Sequence, residues 1–263
     1  MQLTDAHRTE FREKGYVLVP DVIGLDELAV LDNATLSVIE SDGPQVAKEP
    51  TGEPHVVYGM HQMDDRLTAL SRHPSIVGPA MDLLNKPIYV HQSRVNVKQT
   101  GGSIVKWHQD FGTYHRVDGV PRPEGLMIAV FLDDITPCNA PVLAIPGSHA
   151  HGIVSEAEKD PSSRDFGQVS KYRFDIPMSR IDSLIQQHGI EPIMGTKGSV
   201  LFMDMTVVHG STVNITPLRR IILYLNVCTT DNRGESYERP DYYAARDFSA
   251  IEPDAPGALL GMA

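Results

Sequence analysis

Cysteine is scarce in this 263-residue sequence: Cys138 and Cys228 are the only two. A disulfide framework or a CxxC zinc motif is therefore not indicated. Basic charge is also short, with 23 Lys and Arg against 34 Asp and Glu and a net charge of -11. This argues against a nucleic-acid partner, because phosphate binding needs a basic surface. No apolar run approaches the length needed to cross a bilayer, so no membrane partner is expected. The opening residues, MQLTDAHRTEF, lack an apolar signal core, and a cytoplasmic protein is the default expectation. Repeats, low-complexity segments and linkers are absent as well, which predicts one domain over residues 1–263, working as a monomer or homodimer. What remains is an ordinary globular composition, 41% apolar and 22% charged.

Thr4 or Asp5 can cap a helix over residues 4–14, and Gly15 can end it. Tyr16 to Val22 is apolar and β-branched with Pro20 near its end, the pattern of an edge strand. Leu25, Leu28, Leu31 and Val38 share one face of a second helix over 25–40. Residues 42–62 are rich in Gly and Pro and read as a long loop, a candidate active-site lid. Short helices are expected over 66–71 and 74–84. From Ile88 the pattern alternates, putting Val90, Gln92, Arg94, Asn96 and Lys98 on one face of a strand. So polar a face suggests a pocket lining. LMIAVFLDD (126–134) and VLAIPGSH (142–149) predict further strands. Residues 151–180 are polar and irregular, and 181–188 suggests a helix. IEPIM, GSVLFMD, TVVHGS and RRIILYLNVCT follow as closely spaced strands. The tail from Asp231 reads as loop with room for one short helix. Helices followed by many short strands give an α+β, mainly β class: a jelly-roll, or double-stranded β-helix, core of cupin-like type with flanking N-terminal helices.

Trp107-His108-Gln109-Asp110-Phe111 puts an imidazole and a carboxylate two residues apart. Alternate side chains of a strand share a face, so His108 and Asp110 could meet one metal ion from one extended element. His209, near a strand end in FMDMTVVHGS, is the candidate third ligand. Two histidines and one carboxylate occupy one face of iron(II) and leave three positions open. Arg220 follows eleven residues later, across Asn214-Ile215-Thr216-Pro217, a spacing that suits a hairpin. A 2-oxo acid that chelates the metal needs a cation for its far carboxylate, and arginine supplies a bidentate fork. Ser211 can add a hydroxyl. Arg219 and Arg220 must face opposite ways along a strand, and the spacing does not choose between them.

These residues resemble the phytanoyl-CoA dioxygenase family of iron(II)- and 2-oxoglutarate-dependent oxygenases. The resemblance runs from about residue 8 to 248. It is carried by HQSRVNVK (91–98), WHQDFGTYHRVDGVPRP (107–123), IPGSH (145–149) and HGSTVNITPLRR (209–220). It implies that His108, Asp110 and His209 hold iron(II), and that Arg220, rather than Arg219, grips 2-oxoglutarate. It also implies that Ser211 and Asn96 contact 2-oxoglutarate, that Gln92 lies between cosubstrate and substrate, and that Arg239 holds a substrate carboxylate. O2 is the oxidant. Within the family the chain is similar to ectoine hydroxylases and to hydroxylases of free cyclic amino acids. It departs from ectoine hydroxylases at two residues lining their substrate pocket, with Tyr114 replacing Trp and Met203 replacing an aromatic residue, and Gly112 stands where they have Glu. The expected reaction is therefore hydroxylation of free L-proline to trans-4-hydroxy-L-proline, with release of succinate and CO2. Ectoine 5-hydroxylation and pipecolate hydroxylation are the alternatives.

The same ligand set could bind zinc and water in a hydrolase, or stand idle in a non-catalytic jelly-roll binding protein. Arg220 and HGSTVNITP argue against the first, and the intact triad against the second. His115, His149 and His151 are expected to be decoys, His115 lying beyond the metal five residues past Asp110 and His149 structural, while His55 and His61 fall in the expected lid.

Overall fold

Thr4 opens the first helix as its sequence suggests. Its hydroxyl accepts from the His7 N–H, and the His7 ring accepts from the Thr4 N–H. Gly15, at φ +83°, closes the helix in the left-handed region. The computed structural model describes residues 1–156, 158–159, 164–165, 168–169, 172–173, 175–236 and 238–262. In chain order the elements are α1 (Asp5–Lys14), β1 (Tyr16–Val19), α2 (Leu25–Ile39), β2 (Val46–Lys48), β3 (Pro54–Tyr58), α3 (Asp65–Ser71) and α4 (Pro74–Leu84). Next come β4 (Ile88–Val97), β5 (Val105–His108), α5 (Asp110–Arg116), β6 (Gly125–Phe131), β7 (Val142–Ala144) and α6 (Met178–His188). The last strands are β8 (Glu191–Ile193), β9 (Val200–Asp204), β10 (His209–Ser211) and β11 (Ile221–Thr229).

Two antiparallel sheets form the core of the fold, in the orders β1-β9-β6-β11-β4-β3-β2 and β8-β7-β10-β5. Strand period 2 divides the apolar residues between two layers. Ile128, Val130, Phe202 and Leu223 face away from the smaller sheet and pack with Leu31, Leu67, Leu70 and Ile76 of the helices. Met127, Ala129, Leu201, Met203, Ile222 and Tyr224 face inward and pack with Val142, Ala144 and Ile193 of the smaller sheet. The expected jelly-roll core with flanking N-terminal helices is what forms.

Three local expectations are corrected. Residues 42–62 are not a free loop: β2 and β3 pair as a hairpin, and β3 adds it to β4 at the edge of the larger sheet. Glu49 at its turn accepts hydrogen bonds from Ser103 N and Oγ at 2.8 and 2.5 Å. His209 and Arg220 do not belong to one hairpin. β10 lies in the smaller sheet and β11 in the larger, so the chain crosses between sheets in the intervening turn. The third correction is that His108 and Asp110 do not share a strand: β5 ends at His108, and Asp110 is the first residue of α5. The irregular stretch foreseen at 151–180 lies partly outside the described residues; within it 164–165 pairs with 168–169 and 158–159 with 172–173. The short tail helix is a 3-10 turn, Ala258–Met262.

Candidate metal centre and active-site cavity

His108 and His209 face one another across the β5–β10 pairing, with ring centres 4.2 Å apart. Each ring is held by its own backbone: His108 Nδ1 lies 2.8 Å from Lys106 O, and His209 Nδ1 lies 3.0 Å from Val207 O. A carbonyl can only accept, so Nδ1 carries a proton and Nε2 is the atom left to face a metal. The strand-to-helix break then brings in Asp110. Gln109 makes that break rigid, donating to Gly152 O and Thr206 O at 2.7 and 2.6 Å and accepting from Val154 N at 2.8 Å. One atom from each of His108, Asp110 and His209 lies within 4.8 Å of the others.

The charge at this centre is arranged for a cation. Burial alone would raise the Asp110 pKa, but the Arg94 guanidinium and both imidazoles outweigh it and hold the carboxyl well below the usual range. Asn226 Nδ2 donates to Asp110 Oδ2 at 2.7 Å, while Oδ1 faces His108 Nε2 at 3.6 Å. Burial lowers His209 to about 4, so its ring is neutral at physiological pH. Two imidazoles, that of His209 neutral, and one ionised oxygen on one side of a cavity fit a six-coordinate iron(II) with open positions.

The cavity contains ≈ 730 Å³ of space, part of it open to solvent. Gln92, Arg94 and Asn96 line it from β4, fulfilling the expectation from that polar face, and Ser211, Arg220, Tyr114 and Arg239 line it too. Arg220 shares the inward parity of Ile222, Tyr224 and Asn226. Arg219 points outward and binds Asp133 and Asp32. Arg220 is 2% exposed, and its Nε has no hydrogen-bond partner among the described residues. Asn96 Oδ1, in the same cavity, is also without one. Unsatisfied buried polar atoms are costly, and a bound polar ligand would relieve both. Beside them Lys98 donates to Ser211 Oγ at 3.0 Å. Burial, then the charge of Arg220, lowers the Lys98 ammonium to about 7.

Gln92 joins three elements. Its Nε2 donates to Tyr243 O at 2.7 Å, and its Oε1 accepts from Arg94 Nη1 at 2.6 Å and Tyr114 Oη at 3.1 Å. Arg239 is paired with Asp118. Met203 does not line this cavity; it is fully buried in the layer between the sheets, in register with Met127 and Tyr16. Arg94, Asn226, Tyr58 and Val56 were not foreseen as site residues. Arg94 lies on the polar face already noted, and Asn226 interrupts the apolar run RIILYLNVCT, so both left a signal. Val56 and Tyr58 left none, because their segment read as loop. His55 lies 2.8 Å from Glu49 Oε1, and His61 is 2.5 Å from Ser93 Oγ. His115 contacts Val120 O, and His151 contacts His188; none of these four, nor His149, lines the cavity.

A jelly roll with two histidines, a carboxylate and a buried arginine whose Nε is unpartnered, all in one cavity, is the arrangement of a mononuclear metal enzyme. Residues 11–222 match the phytanoyl-CoA dioxygenase (PhyH) family model, and the chain belongs to that family. It is a dioxygenase that uses iron(II), 2-oxoglutarate and O2 to hydroxylate its substrate. The chain is 29% identical to an L-proline trans-4-hydroxylase of Streptomyces griseoviridis, over 95% of its own length and 96% of that relative. It is 31% identical to an ectoine dioxygenase of Sphingopyxis alaskensis, over 95% and 85% of the two chains. The crystal structure of EctD from S. alaskensis with 2-oxoglutarate and 5-hydroxyectoine superposes with a TM-score of 0.83 at 28% identity, covering 96% of this chain and 87% of that one. No helix among the described residues is long and apolar enough to cross a membrane.

Proposed function

We propose that this chain, as one domain, hydroxylates a free cyclic amino acid, L-proline to trans-4-hydroxy-L-proline, and releases succinate and CO2. The observation that carries this reading is the buried Arg220 Nε without a partner, in the same cavity as the His108, Asp110 and His209 cluster and Arg239. Iron(II) would be held by His108 and His209 through Nε2 and by Asp110 through Oδ1. When bound, iron(II) with 2-oxoglutarate supplies the O2 activation that puts one oxygen atom into the substrate. Arg220 grips the far carboxylate of 2-oxoglutarate, with Ser211 and Asn96 beside it. Gln92 and Tyr114 form the wall between cosubstrate and substrate. Arg239 holds the substrate carboxylate, which turns one C–H bond toward the metal. The surrounding apolar and aromatic walls, Val56, Tyr58 and Tyr224, limit water.

Proline is favoured over ectoine by Tyr114, whose hydroxyl is committed to Gln92, and by the proline-hydroxylase relative that matches end to end. Ectoine is the second reading, supported by the ectoine dioxygenase relatives and the EctD fold match. Pipecolate hydroxylation is a third. The test is a turnover screen of purified protein with iron(II), 2-oxoglutarate and each of proline, pipecolate and ectoine, with product position read by NMR. Succinate formation driven only by ectoine would remove the proline reading. No succinate with any amino acid would remove the amino-acid hydroxylase reading altogether.

A further inference from the structure

Asp118 is 2% exposed and belongs to none of the groups assigned above to metal, cosubstrate or substrate. It stands two residues past α5, and its N–H donates to Tyr114 O at 3.2 Å, so its backbone continues the helix end. Its carboxylate is fully engaged. Oδ1 accepts from Arg239 Nε at 2.7 Å, Oδ2 accepts from Arg239 Nη2, and Oδ2 also lies 2.9 Å from His91 Nε2. Burial opposes its ionisation, but His91 and Arg239 prevail and keep it an anion. The corner is also fixed through the backbone. Ser236 N donates to Asp118 O at 2.9 Å, and a Cβ on Gly234 would stand 2.7 Å from that same oxygen, so the tail must approach closely there.

Arg239 itself lies in a stretch, residues 231–257, where no described residue is in a helix or strand. A binding group on irregular backbone keeps its position only if another element holds it. Asp118 is that hold, and it directly follows the helix that starts at Asp110. Asp110 is the first residue of α5, Tyr114 sits in its middle with the Arg239 guanidinium 5.8 Å from its ring centre, and Asp118 follows its last turn. The rise from Asp110 to Arg116 is about 9 Å at 1.5 Å per residue. One short, rigid helix therefore spaces the metal ligand from the group that fixes Arg239.

We propose that Asp118 is a positioning residue for regiochemistry: by clamping Arg239 to the end of α5, it sets the distance between the substrate carboxylate and the metal, and so which ring carbon is hydroxylated. This rests on the reading above that Arg239 holds the substrate carboxylate.

The test uses the full-length protein with iron(II), 2-oxoglutarate and proline, and four readouts: amino-acid KM, kcat, hydroxylated product per succinate, and product position by NMR. Asp118→Asn keeps the size and removes the charge. It should raise the amino-acid KM at least tenfold, lower kcat less, and halve the product made per succinate. Asp118→Glu moves the carboxylate outward by about one C–C bond, ~1.5 Å, and should give a mixture of hydroxylation positions. Wild-type KM, coupling and product from both variants would overturn the proposal. Should both variants fail to fold, the wild type decides: five- and six-membered cyclic amino acids should be hydroxylated at the same distance from the carboxylate, and methyl esters should lose at least tenfold in kcat/KM. Esters accepted as well as acids would overturn the carboxylate reading on which it rests, and hydroxylation at different distances from the carboxylate in the two ring sizes would overturn the positioning role. Arg239→Lys separates the two ideas. If it leaves the amino-acid KM unchanged, the assignment of Arg239 as carboxylate holder fails. If it raises KM while both Asp118 variants behave as wild type, only the positioning role fails.

Discussion

Arg220→Met should uncouple 2-oxoglutarate from the stability of this protein without weakening the free protein. Arg220 is buried, its Nε has no partner among the described residues, and burial and then its charge depress the nearby Lys98 ammonium. Without a ligand it is a buried cation with little to offset it, and replacing such an ion by an apolar side chain is often neutral or stabilising. With 2-oxoglutarate present, a bidentate pair of charged hydrogen bonds is worth roughly 3 kcal/mol or more. Its loss should weaken binding about 100-fold. At a concentration 100 times the wild-type Kd, the ligand stabilises the wild type by about 2.7 kcal/mol, a rise in Tm of roughly 5–10 °C. The variant would then sit near its own Kd and gain about 0.4 kcal/mol, roughly 1 °C. Thermal unfolding with and without 2-oxoglutarate, in the presence of manganese(II) as a redox-inert metal, measures both effects. A wild-type-sized ligand shift in Arg220→Met would refute the assignment of the cosubstrate site. A fall of several kcal/mol in the ligand-free protein would refute the claim that the charge is uncompensated.

Three further expectations follow from the same geometry. Asn226→Ala removes the donor to Asp110 Oδ2 and should weaken divalent-metal binding 10- to 100-fold, read by cobalt(II) titration; unaltered affinity would show that Asn226 does not orient the ligand. Met203→Ala opens a hole between the sheets and should cost about 2–5 kcal/mol in urea unfolding while changing the amino-acid KM less than twofold; the reverse pattern would return Met203 to the substrate pocket. Lys98 loses its proton near pH 7 when folded, while the unfolded chain keeps it to about 10.5. Between those values the unfolded state binds more protons, so this group makes stability rise with pH, by up to about 1.4 kcal/mol per unit. Lys98→Met should flatten that rise, and an unchanged pH profile of unfolding would contradict the depressed ammonium.

The site was legible wherever a regular element carried it through its whole length. Gln92, Arg94 and Asn96 follow from period 2 along β4, because one face of a strand is fixed by parity alone. Arg219 and Arg220 were separable only as opposites. Which of the two enters the cavity depends on which face of β11 meets the smaller sheet, and that is a packing fact. The WHQDF stretch looks like one strand, because local pattern gives no sign that Gln109 turns inward to bond Gly152 and Thr206 where the helix starts at Asp110. The likeness alone points Met203 toward substrate, while its side chain packs between the sheets in register with Met127 and Tyr16, which only the pairing of β9 reveals.

The sequence by itself determined the chemistry available. It offers a histidine and an aspartate two residues apart, a further histidine, and an Arg-Arg pair ending eleven residues beyond it, in a mainly β chain without the charge for nucleic acid or the cysteines for disulfides. These follow from residue types and short spacings, which are local properties. Tertiary structure alone decided how the groups meet. β5 and β10 pair His108 with His209, and Asn226, from β11 in the other sheet, orients Asp110. The hairpin at 46–58 brings Val56 and Tyr58 to the cavity. α5 starts at Asp110 and leads, two residues past its end, to Asp118, which pairs with Arg239. Those contacts join residues as many as 121 positions apart, and no local pattern can encode a distance that only sheet pairing and packing create.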